Sequence, residues 1–179
     1  MKKAVFLDRD GVVNKTKLVN GYPVPPNCIE EVEILEGVVE AISMLMDNNY
    51  LIVVITNQPD VARGRVNQSQ VDEINSLIGK TLEIDHIYTC PHDDNDFCEC
   101  RKPAPGLIQR AASELGIDIS KSFFVGDRWK DIAASHNAGC QAFFIDYSYP
   151  EQQPQMPFTR VSSLVEAAKL IVRGENAKH

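Results

Sequence analysis

The chain has 179 residues, of which 44% are hydrophobic and 24% charged, and its net charge is −7. Such a length supports one hydrophobic core, so a single domain over 1–179 is expected, with the composition of an ordinary soluble protein. Apolar runs as short as residues 51–55 cannot cross a bilayer, the start Met1-Lys2-Lys3 lacks a signal-peptide layout, and scattered lysines and arginines offer no basic face for nucleic acid; the expectation is a cytoplasmic, monomeric enzyme.

Residues 3–7 (KAVFL) read as a buried strand running into Asp8-Arg9-Asp10-Gly11. Residues 15–31 are a long connection holding Pro23, Pro25 and Pro26; following directly on the aspartate pair, they are read as a lid. Residues 37–48 place Val38, Ala41, Ile42, Leu45 and Met46 at helical spacing. The run LIVVIT from Leu51 is a second strand, ending in Thr56-Asn57-Gln58. Residues 68–82 are a second helix, with Val71, Ile74, Leu77 and Ile78 on one side, and IDHIYTC (84–90) is a third strand. Residues 105–115 form a helix with a proline near its start and Gly116 as its stop. SFFVGD (122–127) is a fourth strand, residues 131–137 a helix followed by Gly139, and CQAFFID (140–146) a fifth strand. Residues 147–157, rich in Pro and Gln, are read as a surface excursion, and residues 163–172 make a last helix. This alternation predicts an α/β fold: a three-layer, Rossmann-like parallel sheet with helices on both faces.

Ligands of open parallel sheets bind at the carboxyl ends of the strands. Those ends carry Asp8-Arg9-Asp10, Thr56-Asn57-Gln58 and Gly126-Asp127-Arg128, with Asp131 one helical turn on and Cys100-Arg101-Lys102-Pro103 before the third helix. Taken singly, each has a plainer reading: a D-x-D is common, an aspartate after a strand caps a helix, and Asp131 is a helix-start residue. Together they supply what phosphoryl transfer needs. Asp8 at a strand tip can be a carboxylate nucleophile. Asp10, two residues on, can protonate the leaving oxygen and then activate water. Mg²⁺ prefers oxygen ligands, which Asp8, Asp127 and a backbone carbonyl near Asp10 offer. Lys102 neutralises phosphate charge, and the Thr56 hydroxyl holds its oxygens.

FLDRDGVVN, VITNQ, CRKPAPG and VGDRWKD resemble the four signature stretches of the haloacid dehalogenase-like superfamily of aspartate-nucleophile phosphatases, over residues 3–146. Within it the chain is similar to the small, nearly capless group that includes heptose 1,7-bisphosphate and histidinol-phosphate phosphatases. The resemblance implies Asp8 as nucleophile, Asp10 as general acid/base, Thr56 and Lys102 as phosphoryl-group stabilisers, and Mg²⁺ on Asp8, the Asp10 carbonyl and Asp127.

CPHDDNDFCEC supplies Cys90, His92, Cys98 and Cys100, a tetrahedral Zn²⁺ set with no open position. A structural zinc here would stiffen the segment that delivers Lys102. Cys140 is read as a small buried hydrophobe, and His86, His136 and His179 as structural or surface residues. The substrate is open to three readings. The Ala62-Arg63-Gly64 stretch is similar to that of the heptose enzymes, and a cluster of Arg9, Arg63, Arg101 and Arg128, with Asn57 and Gln58, suits a small sugar with two phosphates, dephosphorylated at C7. Pro59-Asp60 departs from the Ser-Gly of those enzymes, and the short cysteine loop keeps histidinol phosphate in play. The third reading is a non-catalytic, zinc-stabilised binding module.

Overall fold

In the computed structural model, which describes residues 1–176, strand β1 (Lys3–Leu7) is the centre of the molecule. His179 lies outside the described residues. Ala4 to Leu7 are wholly buried, because the strand is covered on both faces. Val5 and Leu7 point into one apolar cluster and Ala4 and Phe6 into the other, as the two-residue period of a strand requires.

After β1 comes an antiparallel hairpin of β2 (Lys17–Val19) and β3 (Tyr22–Val24), then α1 (Val38–Asp47), β4 (Tyr50–Asn57), α2 (Gln68–Leu82) and β5 (Ile87–Cys90). The second half runs α3 (Gly106–Leu115), β6 (Phe123–Gly126), α4 (Trp129–Ala138), β7 (Gln141–Ile145), β8 (Thr159–Val161) and α5 (Leu164–Asn176). Six strands form one parallel sheet in the order β5-β4-β1-β6-β7-β8. Helices α1, α2 and α5 cover one face, through Leu45, Ile78 and Ile171 among others. Helices α3 and α4 cover the other, through Ile108, Ala111 and Ala134. The three-layer α/β expectation holds. Among the described residues no helix is long and apolar enough to cross a membrane.

The chain moves outward from β1 to β4 and β5, crosses to β6 on the other side of β1, and moves outward again to β7 and β8. The reversal sets a switch point between β1 and β6, the place where α/β sheets open a ligand crevice.

Three details differ from the expectation. The third strand begins at Ile87 rather than at residue 84. Residues 15–31 contain the β2–β3 hairpin, stitched by pairings such as Leu18 with Pro23. A sixth strand, β8, follows the fifth; three residues give too short a pattern to read a period from.

Candidate active site

Register places the two aspartate-bearing strand ends side by side. Leu7 pairs with Val125, and the Asp8 amide donates to the Val125 carbonyl at 3.0 Å. Asp8 and Asp127 therefore leave β1 and β6 as neighbours. Lys102 enters from the loop before α3 and is 2% exposed. Its Nζ lies 2.8 Å from Asp8 Oδ1 and 2.7 Å from Asp131 Oδ1, and it donates to the Ile55 carbonyl at 2.8 Å. Burial opposes the ammonium charge, but Asp131 and Asp8 outweigh it and hold the Lys102 pKa above its ordinary value.

The carboxylates feel the converse. Burial, then Asp131, push the Asp8 pKa up to about 7 against the pull of Lys102. Burial, then Asp8 and Asp131, raise Asp127 well above the carboxylate range. Such crowding is what a bound cation relieves. Ligand oxygens of Asp8, Asp127 and Asp131 lie within 4.8 Å of one another. Asp127 Oδ1 is buried without a hydrogen-bond partner, whereas Asp131 is already engaged by Lys102 and by the Arg128 amide. The oxygen-rich, partly unsatisfied set fits a hard divalent ion.

Asp10 lines the same cleft with its carboxylate held from three sides. Arg9 Nη2 donates to both oxygens at 3.1 Å, Asn14 Nδ2 to Oδ1 at 3.0 Å and Gln58 Nε2 to Oδ2 at 2.7 Å. This corrects the expectation for Arg9. It does not line the cleft; it is 0% exposed and also donates to Asn75 on α2. Gly11 follows because its φ is +91° and a β-carbon there would stand 2.1 Å from Asp127 Oδ2. Thr56 is fully buried at the end of β4, and its hydroxyl accepts from Gln58. Asn57 lines the cleft while its side-chain amide brackets the Lys102 backbone, donating to the carbonyl and accepting from the N–H, both at 3.1 Å.

The cleft measures about 380 Å³. Asp8, Asp10, Lys102 and Asp131 lie on its lining with Arg63, Arg65, Arg101, Arg128 and Lys130, and Pro23 and Val24 of β3, with Pro25 after them, wall it. Every one of these outer cations has an acidic neighbour. Arg63 contacts Asp60 and Asp93 at 3.4 Å, and Arg65 contacts Asp60 at 3.2 Å. Arg101 and Lys130 share Asp94, and Arg128 pairs with Glu151.

Cys90 ends β5, and the following loop folds His92, Cys98 and Cys100 back against it. Cys90 Sγ lies 3.0 Å from Cys100 Sγ and 3.7 Å from Cys98 Sγ, and His92 Nδ1 lies 3.2 Å from Cys100 Sγ. Those spacings approach the edge of a tetrahedron whose centre-to-sulfur distance is about 2.3 Å, so the set fits a closed metal site.

Several groups here do more than the sequence alone implies. Asp131 looks like a helix-start residue and does cap α4, yet it also grips Lys102. Arg65, Lys130, Asp94 and Asn14 carry no local signal. The 147–157 segment is not merely a surface excursion: Tyr149 is buried and donates to Asp127 Oδ2 at 3.0 Å, and Glu151 holds Arg128.

Comparison with known proteins agrees with this geometry. A family model described as haloacid dehalogenase-like hydrolase matches residues 26–139. A D-glycero-beta-D-manno-heptose-1,7-bisphosphate 7-phosphatase of Haemophilus ducreyi is 37% identical over 150 residues, covering 77% of this chain and 79% of that one. A D-glycero-alpha-D-manno-heptose-1,7-bisphosphate 7-phosphatase of Photorhabdus laumondii is 34% identical over 182 residues, covering 94% and 96%. Among solved structures, a D,D-heptose 1,7-bisphosphate phosphatase from B. bronchiseptica, complexed with magnesium and phosphate, superposes with a TM-score of 0.81 at 27% identity, covering 96% and 99%.

Proposed function

The chain belongs to the haloacid dehalogenase-like hydrolases, and from that premise we propose that it is a phosphomonoester hydrolase removing the C7 phosphate of a heptose 1,7-bisphosphate, with all of 1–179 working as one phosphatase domain. The observation that carries the reading is the two-part cleft. Lys102 among buried carboxylates forms the floor, and arginines 63, 65, 101 and 128 surround the mouth. Such a cleft receives a reacting phosphate at one end and a second phosphate at the other.

Lys102 and the Arg9 amide, both on Oδ1, fix the Asp8 carboxylate on the cleft lining, where it can attack. Attack on phosphorus forms the Asp8–phosphate bond and breaks the bond to the C7 oxygen. Asp10 gives that oxygen its proton, and the sugar leaves as the 1-phosphate alcohol. Asp10 then takes a proton from water, whose oxygen attacks the same phosphorus, freeing phosphate and restoring Asp8. Lys102 meets the equatorial oxygens, while Thr56, expected to do the same, is fully buried and off the cleft lining, so its part is to hold Gln58 there. Asp8, Asp127 and the Asp10 carbonyl would hold Mg²⁺, which neutralises charge shared by carboxylate and phosphate. Cys90, His92, Cys98 and Cys100 would hold Zn²⁺, whose part is structural because four protein ligands leave no open position.

The test is Mg²⁺-dependent phosphate release from the α and β heptose 1,7-bisphosphates and from histidinol phosphate, with Asp8→Asn as the blank. Preference for one bisphosphate, absent in the blank, is the expected result and identifies the anomer. Faster release from histidinol phosphate overturns the assignment.

A further inference from the structure

One buried hydroxyl beside the catalytic carboxylates has no part in the steps above. Residues 147–151 cross the carboxyl edge of the sheet and touch both aspartate-bearing loops. The Tyr147 hydroxyl donates to the Gly11 carbonyl at 3.0 Å, and Tyr149 OH donates to Asp127 Oδ2 at 3.0 Å. The two rings lie 5.6 Å apart, and the Tyr22 hydroxyl on the hairpin donates to the Pro150 carbonyl. Packing alone would be met by phenylalanine at 149. A buried phenol needs a partner, and here that partner is a buried carboxylate.

Three constraints act on the Asp127 side chain. Tyr149 occupies Oδ2. The carboxylate sits in the space a β-carbon at Gly11 would fill. Oδ1 is buried with no protein donor. An ionised carboxylate only accepts, so the phenol's one proton goes to Asp127. We propose that Tyr149 is a positioning residue: it fixes the Asp127 carboxylate so that Oδ1 is presented to the divalent cation, a task served by hydrogen-bond partners one shell out from a metal. The inference rests on the metal-dependent reading above.

The experiment is a Mn²⁺ titration of the zinc-loaded, full-length protein, followed by the electron paramagnetic resonance of free Mn²⁺. Tyr149→Phe keeps the ring and removes the hydroxyl. Its Mn²⁺ dissociation constant is expected to rise about tenfold, within the range typical for lost outer-shell partners. The Mg²⁺ concentration for half-maximal phosphate release should rise by the same factor, with substrate KM unchanged at saturating Mg²⁺. Tyr88→Phe, which removes an exposed phenol bonded to Glu114, should leave the Mn²⁺ constant as it was. A Tyr149→Phe constant within twofold of wild type overturns the proposal. Should Tyr149→Phe fail to fold, Tyr149→Met fills the ring's space without a hydroxyl, with the same rise of about tenfold expected and a constant within twofold of wild type overturning the proposal. A wild-type protein that binds no Mn²⁺ overturns the proposal together with the metal site. A wild-type protein that binds Mn²⁺ but spares heptose bisphosphates overturns only the substrate assignment, because no substrate enters the titration.

Discussion

Asp8 sits buried beside Asp131 and Asp127, with its pKa raised to about 7 in the ion-free fold. The unfolded chain would hold it near about 3.9. The folded state therefore binds that proton more tightly, and the cost of ionising Asp8 appears as pH climbs from about 4 to about 7. Removing the charge should relieve it. In Mg²⁺-free buffer at pH 8, Asp8→Asn is expected to melt several degrees higher than wild type, on the order of 2–4 kcal/mol of added stability. The gain should vanish near pH 4. Phosphate release should fall at least about 10³-fold if Asp8 is the nucleophile proposed above. Calorimetry at the two pH values checks it; a variant melting lower at pH 8 contradicts the electrostatic account. Arg63 belongs to the same scale. It is 35% exposed and shared between Asp60 and Asp93, so it is held at the cleft without being buried. Arg63→Ala should raise KM for a heptose bisphosphate about tenfold, as a lost charge-assisted contact would, and leave histidinol phosphate within about twofold. Equal effects on both substrates would remove Arg63 from the second phosphate. Asp8, Asp10, Lys102 and Asp127 are legible in the sequence because each stands at the end of a strand or in the short run before a helix, where position alone implies exposure to the crevice. Asp131 shows only as a residue one helical turn past Asp127, and Tyr149 not at all. Their partners lie 29 and 22 residues away, at Lys102 and Asp127, and no local pattern announces such contacts.

Strands and helices show in the sequence largely through one signal, the spacing of apolar residues. It located α2 at Gln68–Leu82 and β1 at Lys3–Leu7, where burial on one or both faces leaves a clear period. It lost β8, whose Thr159 and Arg160 are exposed and whose Val161 alone is buried, and it lost the hairpin, whose β2 is exposed throughout. The cysteine loop was legible for a different reason: ligand residues must be of a few types whatever the backbone does. Its consequence at the element scale is positional. Cys100 lies two residues before Lys102, and Arg101 between them donates to the His92 carbonyl at 3.3 Å. Cys98→Ser should lower bound zinc below one per chain by elemental analysis. It should cut turnover about tenfold or more through misplacement of Lys102, with the loop between 91 and 99 newly open to limited proteolysis. A variant that lost its zinc yet kept full turnover would show that the loop does not hold the lysine.

At the scale of the whole molecule the charges are unevenly arranged. The chain carries −7 overall, yet one cleft gathers Arg63, Arg65, Arg101, Lys102, Arg128 and Lys130. A polyanionic substrate must therefore approach a repelling body to reach an attracting mouth. Close to the mouth, the outer cations are partly neutralised by Asp60, Asp93, Asp94 and Glu151. Arg63, Arg65 and Arg128 are about a third or more exposed, and so open to screening, because at physiological salt the Debye length is about 8 Å. The floor differs: Lys102 and Asp131 are buried to 2% exposure, beyond much influence of bulk ions. The two ends of the cleft should thus respond differently to salt. Between about 50 and 500 mM KCl, across which the Debye length shrinks severalfold, KM for a bisphosphate is expected to rise about three- to tenfold. For a monophosphate bound only at the floor it should change less than about twofold, with kcat steady for both. Steady-state kinetics over that series measures it. Parallel salt dependence for the two substrates would mean that the outer arginines meet no second phosphate, and the substrate would then have to be sought among monophosphates.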